Sequence, residues 1–143
     1  MKFETFLICD DIRTEVNNKV SLIGVYDDQI LFLPQNGNKI IWPRQIQIGA
    51  YGKIKIETPD DLESISNVRI SLLFNQSETE VLTAPFPVEI KISRNPIKFN
   101  FVVPNFIFSE PGQLKLSIAF LDREGNLISK LSPESTILVR EFL

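Results

Sequence analysis

The sequence predicts an all-β fold: a two-sheet antiparallel β-sandwich of Ig-like or C2-like kind, with about eight or nine strands. Three observations carry that prediction. Apolar residues recur on every second position in one segment after another, the breaks between segments have the chemistry of tight turns, and only one short stretch carries a helix-start signal.

The clearest alternation runs from Gln45 to Glu57, where Ile46, Ile48, Ala50, Gly52, Ile54 and Ile56 interleave with polar side chains. A period of two places one face in a core and the other in water, the mark of an antiparallel strand. The pattern returns at Val68/Ile70/Leu72/Phe74, Val88/Ile90/Ile92, Ile97/Phe99/Phe101/Val103 and Leu114/Leu116/Ile118/Phe120. Residues 3–9, 20–26 and 29–33 are more continuously apolar, as in strands covered on both faces, and a last strand is expected from about Thr136 to Phe142. Asn36-Gly37, Asn75-Gln76-Ser77, Pro111-Gly112, Gly125-Asn126 and Ser132-Pro133 supply turn residues, and residues 122–126 form a hairpin connection. Helix is expected at most as one short turn near 59–65, where Thr58 caps, Pro59 takes the first position and acids follow. The long connections at 34–44 and 57–67 suit crossings between two sheets better than a regular barrel. Prolines 43, 85, 87, 96 and 104 mark strand starts, edges or bends. No proline interrupts 45–56 or 113–121, so each is expected to be a central strand or, at an edge, a self-association surface.

One domain is expected over 1–143. The 143 residues, 43% of them apolar, would bury roughly 68% of the unfolded surface. The chain has no histidine, which removes imidazole as base or ligand, and its single cysteine cannot make an internal disulfide. A net charge of −3 and scattered basic residues argue against nucleic acid. The apolar run Phe6-Leu7-Ile8-Cys9 stops at Asp10-Asp11, too short for a secretory signal, and no run approaches a membrane span. The expected location is cytoplasmic.

The candidate sites are few. Asp10-Asp11 and Asp27-Asp28 could offer oxygen ligands to calcium. With strands at 3–9 and 20–26 the two pairs are expected at opposite ends of the sandwich, roughly 20 Å apart, as turn caps pairing locally with Arg13 or Lys19. Metal and cofactor sites are therefore expected to be absent. Cys9 precedes two acids, which suits a buried small residue rather than a nucleophile. Phe74, Phe99, Phe101 and Phe120 fall on the inward phase, and Phe106-Ile107-Phe108 is expected to be buried. Trp42 and Tyr51 could form an exposed stacking platform for a sugar, but two aromatics are better read as packing against a covering loop. No carboxylate spacing singles out an acid–base pair, so a hydrolytic enzyme is the weaker alternative. Gly24, inside a strand, marks a bulge or a close approach of another group.

The phrase Phe6-Leu7-Ile8-Cys9-Asp10-Asp11-Ile12-Arg13-Thr14-Glu15, followed by Lys19-Val20-Ser21-Leu22-Ile23-Gly24-Val25-Tyr26, resembles an uncharacterised bacterial family of small proteins, a domain of unknown function. Its members open C-D-D-x-R-x-E and continue G-K-x-S-L-I-G-V-Y; Asn18 stands here where that family often has Gly. Residues Glu110 to Leu116 are similar to the family's closing hairpin. The resemblance draws attention to Asp10, Asp11, Arg13, Glu15 and Lys19 as a charged cluster between two strands, either a self-contained salt-bridged loop or a recognition loop. The function expected is that of a non-enzymatic binding or assembly module of bacterial origin. Its partner would be another protein or a second copy, with neither nucleic acid nor membrane.

Overall fold

The computed structural model describes residues 1–34, 40–58, 62–93 and 95–142. Among these, ten strands build two facing sheets: β1 (Lys2–Thr14), β2 (Val20–Tyr26), β3 (Gln29–Phe32), β4 (Arg44–Lys55), β5 (Asn67–Phe74), β6 (Ser77–Pro85), β7 (Ile97–Phe108), β8 (Gly112–Leu121), β9 (Leu127–Leu131) and β10 (Ile137–Glu141). One short helix, α1 (Val88–Ser93), lies between β6 and β7. The first sheet runs β2-β1-β4-β7 and the second β3-β10-β8-β5-β6, with β9 also on β8. All pairings are antiparallel except β3 with β10, which is parallel. The fold is an all-β sandwich.

Alternation explains how the sheets face one another. On β4, Ile48, Ala50 and Ile54 are buried while Gln45, Gln47 and Lys55 are exposed. Leu72 on β5 and Leu116, Ile118 and Phe120 on β8 meet them from the other sheet in one apolar cluster. Phe108 is its aromatic centre, with ring centroids 4.9 Å from Phe74, 5.0 Å from Phe106 and 5.8 Å from Phe32. In the run 106–108 the two phenylalanines are buried and Ile107 points outward, as period two requires.

The long connections do cross between sheets: β3 to β4 and β4 to β5 each change sheet. Pro104 sits at a bulge where two β7 residues oppose Gln47, a position that tolerates a missing N–H. Both proline-free strands are central. β4 lies between β1 and β7, and β8 between β5 and the β9/β10 pair, so neither offers an edge for self-association.

Two expectations need correction. Val88–Ile92 alternates like a strand but is helical, with Val88 and Ile92 exposed and only Ile90 packed on the core. The strand that occupies this region is β6, which is mostly exposed on both faces and so leaves no apolar alternation to read. The first strand does not end at residue 9 but continues to Thr14. Of the helical turn expected near 59–65, residues 59–61 lie outside the described residues, and 62–64 form a turn.

Candidate functional site

The extension of β1 defines the site. From Ile8 to Thr14 it pairs with β2, Ile8 opposite Tyr26 and Thr14 opposite Val20. Its pairing with β4 ends at Cys9 opposite Gly49, although β4 runs on to Arg44 beside β7. Past Cys9, therefore, β1 and β2 form a two-stranded arm that leaves the sheet. The Glu15 N–H donates to the Lys19 carbonyl at 2.7 Å and closes the tip. Between them Val16–Asn18 make a 3-10 turn in which Asn17 and Asn18 have φ of 65° and 59°. Asparagine tolerates that left-handed backbone, so Asn18 can stand where glycine would also serve.

The five candidate residues all lie on this arm, but not in one loop. Asp10, Asp11 and Arg13 are in β1, and only Glu15 and Lys19 flank the turn. Asp11 accepts from its neighbour's N–H at Ile12 (2.9 Å), and one of its oxygens lies 3.9 Å from Arg13 Nε. The Ser21 hydroxyl donates to Glu15 at 3.2 Å. Such exposed pairs orient side chains and add little stability.

Three residues that the sequence reading did not place in the site complete it. Gln47 on β4 donates its amide to the Asp10 carbonyl at 2.9 Å and to the Asp11 carboxylate at 3.2 Å, bridging the gap where the ladder stops. The Tyr26 hydroxyl donates to the Asp10 carboxylate. Gly24, at φ +66°, provides the space for that carboxylate: a Cβ there would stand 2.2 Å from Asp10 Oδ2. The close approach expected at Gly24 is thus made by Asp10. Gln47 carried no signal beyond being polar on an outward phase.

Two titrations follow from the surroundings. Burial, reinforced by the Asp10 hydrogen bond and charge, pushes the Tyr26 phenol well above its usual range. Burial and the Asp10 charge also raise the Cys9 thiol. Cys9 is fully buried, with Ile12 and Gly49 beside it, so it is a packed small residue rather than an activated nucleophile.

The Asp10-Asp11 and Asp27-Asp28 pairs are not at opposite ends. Because β1 runs on, Asp10 faces Gly24, which puts it roughly 10 Å along the strand direction from Asp27 at ~3.4 Å per residue. Among the described residues no three Asp, Glu, Cys or His side chains gather in metal-binding geometry. The aromatic platform does not form either. Trp42 turns toward the core, edge-on to Phe32 at 5.3 Å, with its indole N–H donating to Glu141 at 2.9 Å. Tyr51 sits on the opposite phase from Ala50 and Gly52, so the two rings do not share a face.

The arm also exposes apolar side chains: Val16 at 81%, Val25 at 49% and Ile23 at 38% of full exposure. Charge of both signs thus lies beside exposed aliphatic groups along the ribbon. Among the described residues no helix is long and apolar enough to cross a membrane. No family model, curated protein or solved structure matches this chain.

Proposed function

We propose that the protein is a non-enzymatic binding module, working in the cytoplasm, whose contact surface for another protein is the β1–β2 arm. The observation that carries this reading is the parting of β1 from β4 after Cys9. A sheet that simply ended would not need a glutamine side chain to hold the departing strand, nor a left-handed glycine to seat Asp10. The arm presents Asp11, Arg13, Glu15 and Lys19 around Val16, with Ile23 and Val25 along β2. Charged side chains of that kind give orientation and rate of encounter, and the apolar groups give area to bury. The absence of histidine from the chain and the raised, buried thiol of Cys9 support a role without catalysis. An acidic chain with scattered basic residues supports a protein partner over nucleic acid.

The test is site-specific photo-crosslinking in cells, with the photoreactive residue at Val16 and, as a control, at Leu127, which is also exposed but lies on β9. The expected result is a discrete crosslinked species from position 16 and none from 127. That species should disappear when Arg13 and Lys19 are both replaced by Glu. A product of twice the chain mass would identify the partner as a second copy. Equal crosslinking at both positions, or none at 16, would overturn the reading.

A further inference from the structure

From Lys2 to Leu7, β1 is paired with β4 alone among the described residues, because its pairing with β2 begins only at Ile8. In the facing sheet β9 is likewise paired on one side, with β8. Between these two free edges lies an open trough. One part, of about 450 Å³, is lined by Met1 to Phe6 on one bank and Leu131 to Ser135 on the other. It continues into a second space of about 400 Å³ along Ile128 to Leu131, with Met1 and Leu131 common to both. A consecutive run of strand residues lines one space only along the strand's edge, since a face presents every second residue. The trough therefore follows the unpaired edge of β1. The opposite seam of the sandwich, between β6 and β7, is crossed by α1, whose Ile90 packs on the core.

The edge decides what kind of molecule fits. A strand paired on one side turns every second residue's N–H and C=O outward, and another extended backbone is the partner that matches such a row. Each strand residue of a sandwich occupies roughly 160 Å³, from the spacing of residues, strands and sheets, so the larger part of the trough holds about three residues. Inward side chains of a strand placed there would meet Phe3, Phe6 and Leu131, which are half-buried and packed against the core. Every second residue of the occupant must then be apolar. Lys2 and Glu134 stand on opposite banks, so the rim favours neither charge. A second copy fits poorly. Two of these edges, paired about a two-fold axis over Lys2 to Phe6, would set Glu4 against Glu4, like charge against like. Glu4 is also the extra residue of the bulge between Phe3 and Thr5.

We propose that this seam is a docking groove for an extended segment of a partner protein, apolar at alternate positions, which adds as a strand along the β1 edge in line with β2. The groove shares no residue with the arm past Cys9 and stops short of Leu127, so the site stands apart from the function proposed for the arm.

The probe is an acetylated and amidated heptapeptide alternating threonine and valine, added to the intact chain and followed by amide NMR. The expected result is saturable shifts along Lys2 to Phe6 and at Leu131 at millimolar peptide, with slower amide exchange along Lys2 to Phe6 and no change on β6 or β7. Alternate residues of a strand bond to opposite sides, so N-methylating the valines and N-methylating the threonines should differ. One set should weaken binding about tenfold or more, and the other should leave it within about twofold. Replacing every valine by serine should abolish binding. Ser132→Trp, at an exposed position on the bank, should block the groove; Ser135→Trp, also exposed, serves if the first variant does not fold. Equal effects of the two methylations would overturn strand addition. No shifts, shifts confined to other edges, or binding undiminished by the tryptophan would overturn the groove. Undiminished binding of the serine peptide would overturn the apolar requirement. A doubling of mass with concentration that the peptide reverses would put a second copy in the seam and overturn the foreign segment.

Discussion

The side-chain amide of Gln47 donates to the main-chain carbonyl of Asp10 at 2.9 Å, and it does so where the β1–β4 ladder would otherwise have continued. One side chain thus replaces a backbone rung and sets the point at which the arm leaves the sheet. A hydrogen bond of this kind contributes about 1 kcal/mol net. Gln47→Ala should accordingly cost about that much in denaturant unfolding. The sharper signature is local: amide exchange at residues 10–14 should quicken, while exchange at Ala50 and Ile54, inside the three-strand region, stays as it was. Uniform acceleration along β1 and β4 would mean that Gln47 stabilises the sheet generally and does not define a boundary.

Gly24 and Asp10 should behave as a coupled pair. An alanine at position 24 must adopt a left-handed φ, costing about 1–2 kcal/mol, and must also displace the Asp10 carboxylate. We expect Gly24→Ala to destabilise by about 2 kcal/mol or more in the native background and by only the backbone part when Asp10 is already Ala. Gly125, at φ +86° with no atom within 4 Å of an added Cβ, is the control, because it carries the backbone cost without the collision. The measurement is a double-mutant cycle by chemical denaturation. Strict additivity at positions 10 and 24 would contradict the contact.

How much of this arm could be read from residues alone depends on what each residue had to reveal. Gly24 was legible, since a glycine inside an apolar strand needs a reason. The charged set Asp10 to Lys19 was legible as a cluster but not as a shape. Acids at positions 10 and 11 read as a strand end, because burial is what alternation reports and no residue of the arm past Cys9 is fully buried. The same blindness hid β6, whose polar run Ser77–Glu80 has no buried face to give it a period. It also turned α1 into a false strand, because Val88, Ile90 and Ile92 alternate while only Ile90 is packed. Trp42 was left between a packed ring and an exposed one for a different cause: its core-facing pose depends on Phe32 and Glu141, and the second lies 99 residues away. The central strands, buried on a full face over many residues, left no such ambiguity.

The phenol of Tyr26 gives the arm a pH signature. Burial, then the Asp10 hydrogen bond, raises its folded pKa above the unfolded value of about 10. The folded state thus keeps the proton where the unfolded state would release it. The associated stability is full below pH 10 and is lost as pH rises toward the folded value. Cys9, raised by burial and by Asp10, adds a decline of the same sign that begins near pH 9. Titration followed by tyrosinate absorbance, in a Tyr51→Phe background that isolates the Tyr26 signal, should place its ionisation above pH 10. Tyr26→Phe should flatten the loss of stability above pH 10, and Cys9→Ala the earlier part. Ionisation of Tyr26 at or below pH 10 would refute the effect of burial and Asp10 on its phenol.

Proline substitution separates strands by place in the sheet. Ile54 is paired on both sides, with Phe3 on β1 and Ile97 on β7, and its side chain is almost wholly buried in the core. Ile54→Pro removes an N–H from a central strand and forces its ring against neighbouring backbone, at a cost of about 3 kcal/mol or more. Val81 is the contrasting position. It lies on β6, the outer strand of the second sheet, at the bulge between the Ile70–Leu82 and Ser71–Glu80 pairs, where one residue is left without a partner. Proline is tolerated at bulges and edges because no ladder bond is lost. Val81→Pro should therefore cost about 1 kcal/mol, mostly from lost packing, and leave the β-sheet circular dichroism unchanged. The comparison is made by urea denaturation of both variants beside the unaltered protein. If the two cost the same, then either β4 is not the central strand of its sheet or β6 is not the edge of the other, and hydrogen exchange at Phe3 and Ile70 would show which.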